Sequence, residues 1–171
     1  MTATDRRAAT SELYLLRHAH AGDPEGWTGD DAARPLSAKG EAQADRLGRF
    51  LAGVGYRPGA IVSSPKLRAR QTAEIAARHL GIDVRLDDRL AGGFDAATVD
   101  SILADLGNPS RPVLVGHDPD FSDLLGFLAG TDRVTMKKGA FARIDVRGPV
   151  ASGEGTLRWL VPPDLIEPRH R

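Results

Sequence analysis

Three short apolar runs in this 171-residue chain each stop at residues able to handle an anion. Leu13-Tyr14-Leu15-Leu16 ends in Arg17-His18-Ala19-His20; Ala60-Ile61-Val62 ends in Ser63-Ser64, with Arg68 just beyond; Pro112-Val113-Leu114-Val115 ends in Gly116-His117. Arginine is a permanently charged fork of donors, and histidine is a nucleophile or base whose ordinary pKa lies near neutrality. Two imidazoles, two guanidiniums and a helix start all favour a tetrahedral oxyanion. Phosphoryl transfer fits this set better than acyl transfer. It asks chiefly for positioning and for neutralisation of charge on the equatorial oxygens, which two arginines supply without a metal. A neutral imidazole can then be the in-line nucleophile.

These residues meet only if the runs are neighbouring strands. Each run is too short for a helix and too continuously apolar for a half-exposed strand, so each reads as a strand buried on both faces of a parallel sheet. Ligands of such sheets sit beyond the carboxyl ends of the strands, where Arg17, His18, Ser64 and His117 stand. The connecting segments read as helices. Ser37 is the expected N-cap of one whose inner face is Ala44, Leu47, Leu51 and Val54; Ser64, with Pro65 in the first helical position, starts the next. Val99, Ile102, Leu103 and Leu106 mark a third, and Phe121, Leu124, Leu125 and Leu128 a fourth. Val84 to Leu86 offers a weaker strand. Phe141–Val146 and Thr156–Val161 alternate as half-exposed strands would. The loop from Gly22 to Pro35 carries Trp27, expected to pack over the site. Met1 to Ser11 reads as a loose tail, and residues 12–171 as a single domain.

Bulk composition narrows the alternatives. Lys+Arg and Asp+Glu are equal at 23 each, so no overall field draws nucleic acid or an anionic membrane, and any attraction for an anion is local. The absence of cysteine excludes disulfides, thiolate metal sites and a cysteine nucleophile, and suits the cytoplasm. Arg6 and Arg7 precede no apolar stretch, so the leader is not a secretory signal, and no run is long enough to span a membrane.

The motifs Leu15-Leu16-Arg17-His18-Ala19, Ser63-Ser64-Pro65-Lys66-Leu67-Arg68-Ala69-Arg70-Gln71-Thr72-Ala73 and Val115-Gly116-His117 resemble the histidine phosphatase (phosphoglycerate mutase-like) superfamily, and within it the small SixA-like phosphohistidine phosphatase branch. The resemblance runs from Leu13 to Leu165. It implies a three-layer α/β/α sandwich whose mostly parallel mixed sheet has one antiparallel strand. It also implies that His18 becomes phosphorylated, that Arg17 and Arg68 hold the phosphate and that His117 completes the pocket, with no cofactor. Ala19 departs from the usual glycine. Many relatives place a general acid after the third strand, for which Asp87, Asp88 and Asp95 are the candidates here. The implied partner is phosphohistidine in another protein, or a small phosphomonoester.

Other readings attach to the same residues. His20 lies two positions from His18, on the same side of an extended chain, and with Ser64 is a further candidate for phosphate contact. Asp118 and Asp120 read as turn and N-cap residues, and His79 and His170 as surface histidines. His18, His20, Asp23 and His117 could instead be ligands of zinc or manganese, although Arg17 and Arg68 would set fixed positive charge beside such a cation. A non-catalytic phosphate-binding module is the remaining rival, but it would have no need of a nucleophile at His18.

Overall fold

The structure, a computed structural model, describes residues 10–166. Its centre is a six-stranded sheet in the order β3-β2-β4-β1-β5-β6. The strands are β1 (Thr10–Arg17), β2 (Ala60–Ser63), β3 (Val84–Leu86), β4 (Pro112–Gly116), β5 (Phe141–Arg147) and β6 (Gly155–Val161). The helices are α1 (Ala38–Gly53), α2 (Leu67–Leu80), α3 (Ala96–Asp105) and α4 (Asp120–Ala129). β1 pairs parallel with β4, and β2 parallel with both β4 and β3; β5 runs antiparallel to β1 and to β6. One strand, β5, therefore opposes the rest, as the family resemblance implies.

Alternation along the central strands explains the layers. Leu13 and Leu15 join Val62, Leu114 and the α3 and α4 residues Val99, Ile102, Phe121, Leu125 and Leu128 in one core. Tyr14 and Leu16 point the other way, with Ile61, Val113 and Val115, into a second core closed by Leu47 and Leu51 of α1 and Ala69, Ala73 and Ala77 of α2. A strand with a helical layer on each side must be apolar at every position, which is why these runs lack polar alternation. Each fully buried leucine or phenylalanine contributes about 1.5–3 kcal/mol of transfer free energy, so this register is strongly specified.

The structure corrects several expectations. β1 begins at Thr10, which pairs with Arg147, so Thr10 and Ser11 belong to the sheet and not to a tail; residues 1–9 and His170 lie outside the described residues. Val54 is exposed at the C-cap of α1 instead of lining its inner face. β5 is buried on both faces, with Ala142, Ile144 and Val146 in one core and Phe141 in the other, while β6 at the sheet edge keeps the half-exposed character. The helix expected from Ser64 starts at Leu67, with Lys66 at its N-cap and no side-chain cap bond. Ser37 does cap α1, its hydroxyl accepting from Gly40 N–H.

Candidate active site

The registers bring the three motif ends to one rim. Arg17 lies opposite Gly116 and Ser63 opposite Val115, and the pairing continues past the strands as His18 N–H donates to Gly116 O (2.9 Å) and Ser64 N–H to Val115 O (2.9 Å). The order across the rim is Ser64, His117, His18. The two imidazoles pack with ring centroids 5.3 Å apart. α1 closes tightly on this segment. A Cβ at Gly40 would fall 1.9 Å from His20 O, so only glycine permits that approach. Thr72 of α2 accepts from Ala19 N–H (3.0 Å) and donates to Arg68 O (2.7 Å), tying the turn that carries Arg68 to the segment after His18.

His18 is buried, and its Nδ1 lies 2.8 Å from Ala19 O. A carbonyl can only accept, so Nδ1 carries the proton and Nε2 keeps its lone pair. Burial, with Arg68, Arg17 and Lys138 nearby, pushes the His18 pKa down to about 3 against the opposing pull of the Ala19 bond. His117 is likewise pushed down to about 3, by burial first and then by His18 and Arg68. Both rings are therefore neutral at pH 7. His117 Nε2 lies 2.7 Å from Ser64 Oγ, which also accepts from Lys66 N–H (3.2 Å). The arrangement that leaves no hydroxyl proton idle has Ser64 donating to Nε2, which puts the ring proton on Nδ1. Thus Ser64 does not cap a helix; its hydroxyl orients His117.

The guanidiniums are held from outside the rim. Arg17 donates through one terminal nitrogen to Met136 O (2.5 Å), and the same nitrogen lies 3.2 Å from Asp118 Oδ2. Arg68 donates to Asp31 O (2.8 Å) and to Asp31 Oδ2 (2.9 Å). Three buried atoms in this cluster have no hydrogen-bond partner among the described residues: Arg17 Nε, Arg68 Nε and His117 Nδ1. Buried donors left unpaired are costly, and an oxyanion held among the residues that neighbour His18 would supply acceptors for them. Arg70 is turned away, exposed and paired with Glu74 (2.7 Å), so the two arginines of the motif occupy different faces of α2.

The remaining candidates are placed elsewhere or otherwise engaged. Asp87 binds Arg89 through backbone and side chain, Asp88 is exposed, and Asp95 caps α3 by accepting from Thr98. The Arg89 bonds to Asp87 and the Thr98 bonds to Asp95 hold both carboxyls below the ordinary range, hence ionised. His20 bonds to Ser37 Oγ (2.7 Å), and His79 to Asp45 (2.8 Å) on the surface. Among the described residues no three His, Asp or Glu side chains are grouped to hold a metal ion, so the ligand set of the metallohydrolase reading is not assembled. Trp27 donates to Asp30 O (2.9 Å) within its own loop, and that loop meets the site through Asp31, which holds Arg68. Sequence reasoning missed Asp31 and Lys138, and gave Asp118 a turn role first and contact with the site second. Asp118 follows His117 directly and was readable as a neighbour, whereas Asp31 and Lys138 come from loops whose course only the fold decides.

Two imidazoles and two guanidiniums at the carboxyl ends of a sheet with one reversed strand define a class, and the comparisons agree with it. The profile of the histidine phosphatase superfamily (branch 1) matches residues 13–93, and the chain belongs to that superfamily of phosphatases. It is 37% identical over 115 residues to an uncharacterised protein of Picosynechococcus sp. (strain PCC 7002), covering 66% of this chain and 69% of that one. It is 33% identical over 110 residues to a protein of Escherichia fergusonii named as phosphoglycerate mutase GpmB, covering 61% of this chain and 50% of that protein, so the match spans half of that relative's length. Among solved structures, one carrying the name phosphohistidine phosphatase SixA, from Agrobacterium tumefaciens, superposes with a TM-score of 0.72 at 28% identity, covering 88% of this chain and 97% of that one. The protein histidine phosphatase SixA complexed with tungstate shares the fold with a TM-score of 0.78 at 23% identity, covering 91% of this chain and 99% of that one. No helix among the described residues is long and apolar enough to cross a membrane.

Proposed function

We propose that the protein hydrolyses phosphohistidine in another protein through a phosphohistidine of its own at His18, without a metal and in the cytoplasm. The observation that carries this reading is the bare, neutral His18 Nε2 beside three unpartnered buried atoms, Arg17 Nε, Arg68 Nε and His117 Nδ1. In the first step Nε2 attacks phosphorus in line. The new N–P bond forms as the substrate's N–P bond breaks, while Arg17, Arg68 and His117 take the charge of the equatorial oxygens. A substrate ring protonated on its distal nitrogen departs as neutral imidazole and asks for no proton from the enzyme. Water then attacks the same phosphorus from the vacated side, and release of inorganic phosphate restores Nε2.

Two further observations favour phosphohistidine over a phosphate ester. An alkoxide leaving group needs a proton donor, and Asp87 and Asp95 are held ionised by their own partners. The connections around the rim are also short, although the loop that carries Asp31 folds onto Arg68. Between β3 and α3 stands one short turn, Asp88–Ala91, and α4 follows His117 almost at once, so no inserted segment encloses a small ligand. The name of the Agrobacterium tumefaciens structure points the same way. The test compares kcat/KM for a phosphohistidine-bearing carrier protein with that for a panel of small phosphomonoesters, in the presence of chelator. The phosphoprotein is expected to be favoured. A small ester turned over several orders of magnitude faster makes this a metabolite phosphatase, and recovery only on adding zinc or manganese restores the metallohydrolase reading.

A further inference from the structure

Beside the rim lies a pocket of about 430 Å³ lined by His20, Lys39, Gln43, Lys137, Lys138, Pro163 and Asp164. We propose that it is a second anion subsite, which binds a carboxylate or phosphate group carried by the same molecule whose phosphoryl group is transferred to His18. On the substrate reading given above, on which this rests, that group is an acidic side chain close to the phosphohistidine.

The chemistry of the wall is nearly all donor. His20 Nδ1 accepts from Gly22 N–H (3.3 Å) and lies 2.7 Å from Ser37 Oγ, whose hydroxyl also reaches His20 O (3.1 Å); with Gly22 as donor the ring proton sits on Nε2, which has no hydrogen-bond partner among the described residues. Gln43 spends its oxygen on His20 N–H (3.0 Å), which leaves its amide NH₂ as the donor end. Lys39 and Lys138 have no ion-pair partner among the described residues, and the single carboxylate in the wall, Asp164, pairs with Lys137 (3.5 Å).

Two features show that these cations are costly where they stand. Lys39 is the second residue of α1, in the first turn, where the helix dipole disfavours positive charge unless an anion is also present. Lys138 is half-buried near Arg17, Arg34 and Arg68; burial and those three charges push its pKa down against the smaller opposing pull of Asp23. A bound anion would relieve both. The pocket is also joined to the reacting centre. Gly139 N–H, one residue beyond Lys138, donates to His18 O (2.9 Å), and Lys138 is felt by His18 and His20 alike. Lys138 and His20 thus belong both to the pocket wall and to the surroundings of His18, which sets the pocket next to the reacting centre.

The experiment uses two matched pairs of substrates on the full-length enzyme and on the Lys39→Gln variant. Lys39 is exposed and outside the machinery around His18, so its loss should leave Tm unchanged or slightly raised. The first pair is phosphohistidine peptides with Glu, or Gln, placed one to four residues from the phosphohistidine; the second is 3-phosphooxypropanoate and propyl phosphate. Wild type should favour the best-placed Glu peptide by about tenfold in kcat/KM, as one charge-assisted contact allows. Lys39→Gln should erase most of that preference while leaving the rate on the Gln peptide intact, and added salt should shrink it in wild type. A Lys39-dependent preference seen only in the alkyl phosphates, with the peptides inert, would keep the subsite and overturn the phosphoprotein reading. Equal rates within both pairs would overturn the subsite whatever the substrate.

Discussion

Charged side chains are buried in two regions of this molecule, and the two treat them in opposite ways. On the sheet face of β5, Asp145 is 7% exposed and lies between Arg143 (2.8 Å) and Arg158 (2.7 Å), with Glu12 taking a further bond from Arg143 (3.2 Å). Burial raises its pKa, yet these bonds hold its carboxyl below the usual range. At the rim of β2, β4 and β1 the cations are also anchored, by Asp31 and Asp118, but Arg17 Nε, Arg68 Nε and His117 Nδ1 remain unpaired. A completed network specifies structure. An incomplete one, held rigid from behind, is a site waiting for a ligand that supplies the missing acceptors.

That contrast is broken first at His18. His18→Ala should abolish turnover and also the acid-labile, base-stable label left by a radiolabelled phosphoryl donor; near-normal activity would remove His18 from the reaction. Next come the arginines. Arg17→Ala and Arg68→Ala should each lower kcat/KM by roughly 10²-fold or more, as loss of a charge-assisted donor at developing charge does, with little change in Tm. Arg70→Ala, on the exposed face of α2, should stay within a fewfold of wild type, and equal losses at positions 68 and 70 would show that α2 presents the other face. Asp145→Ala should do the reverse, costing about 1–3 kcal/mol of stability in urea unfolding while leaving kcat/KM of the folded enzyme unchanged.

The smallest effect is in pH. Each imidazole sits near 3 in the fold against an ordinary 6.5. As pH falls through 6.5 the unfolded chain takes up protons that the folded chain refuses until about 3. The stability due to keeping the rings neutral is therefore complete above 6.5 and lost between 6.5 and 3. Free-enzyme kcat/KM on an aryl phosphate, corrected for ionisation of the ester itself, should show no acid limb between pH 7 and about 5. A limb near 6.5 would mean that water reaches His18 more freely than this packing allows.

The core of the fold was legible because a strand covered on both faces must be apolar at consecutive positions, which Leu13–Leu16, Ala60–Val62 and Pro112–Val115 are. Each such strand ends where polar residues first become tolerable, so Arg17, His18, Ser64 and His117 announced the rim through local composition alone. Arg68 followed from its place in a motif beside a helix start. Tertiary structure decided the rest, because electrostatics and hydrogen bonding act through space. The partner of Arg68 is 37 positions away at Asp31, and the Met136 carbonyl that anchors Arg17 is 119 positions away. Ser64 looks like a cap by every local rule, yet its hydroxyl turns to His117, 53 positions distant, and α2 begins three residues later. β5 has the alternation of a surface strand, yet both its faces are packed, Ala142, Ile144 and Val146 in one core and Phe141 in the other. The residue types that could perform the chemistry are a property of the sequence; the neutral imidazoles, the oriented ring nitrogens and the unpaired donors exist only once the chain has folded around them.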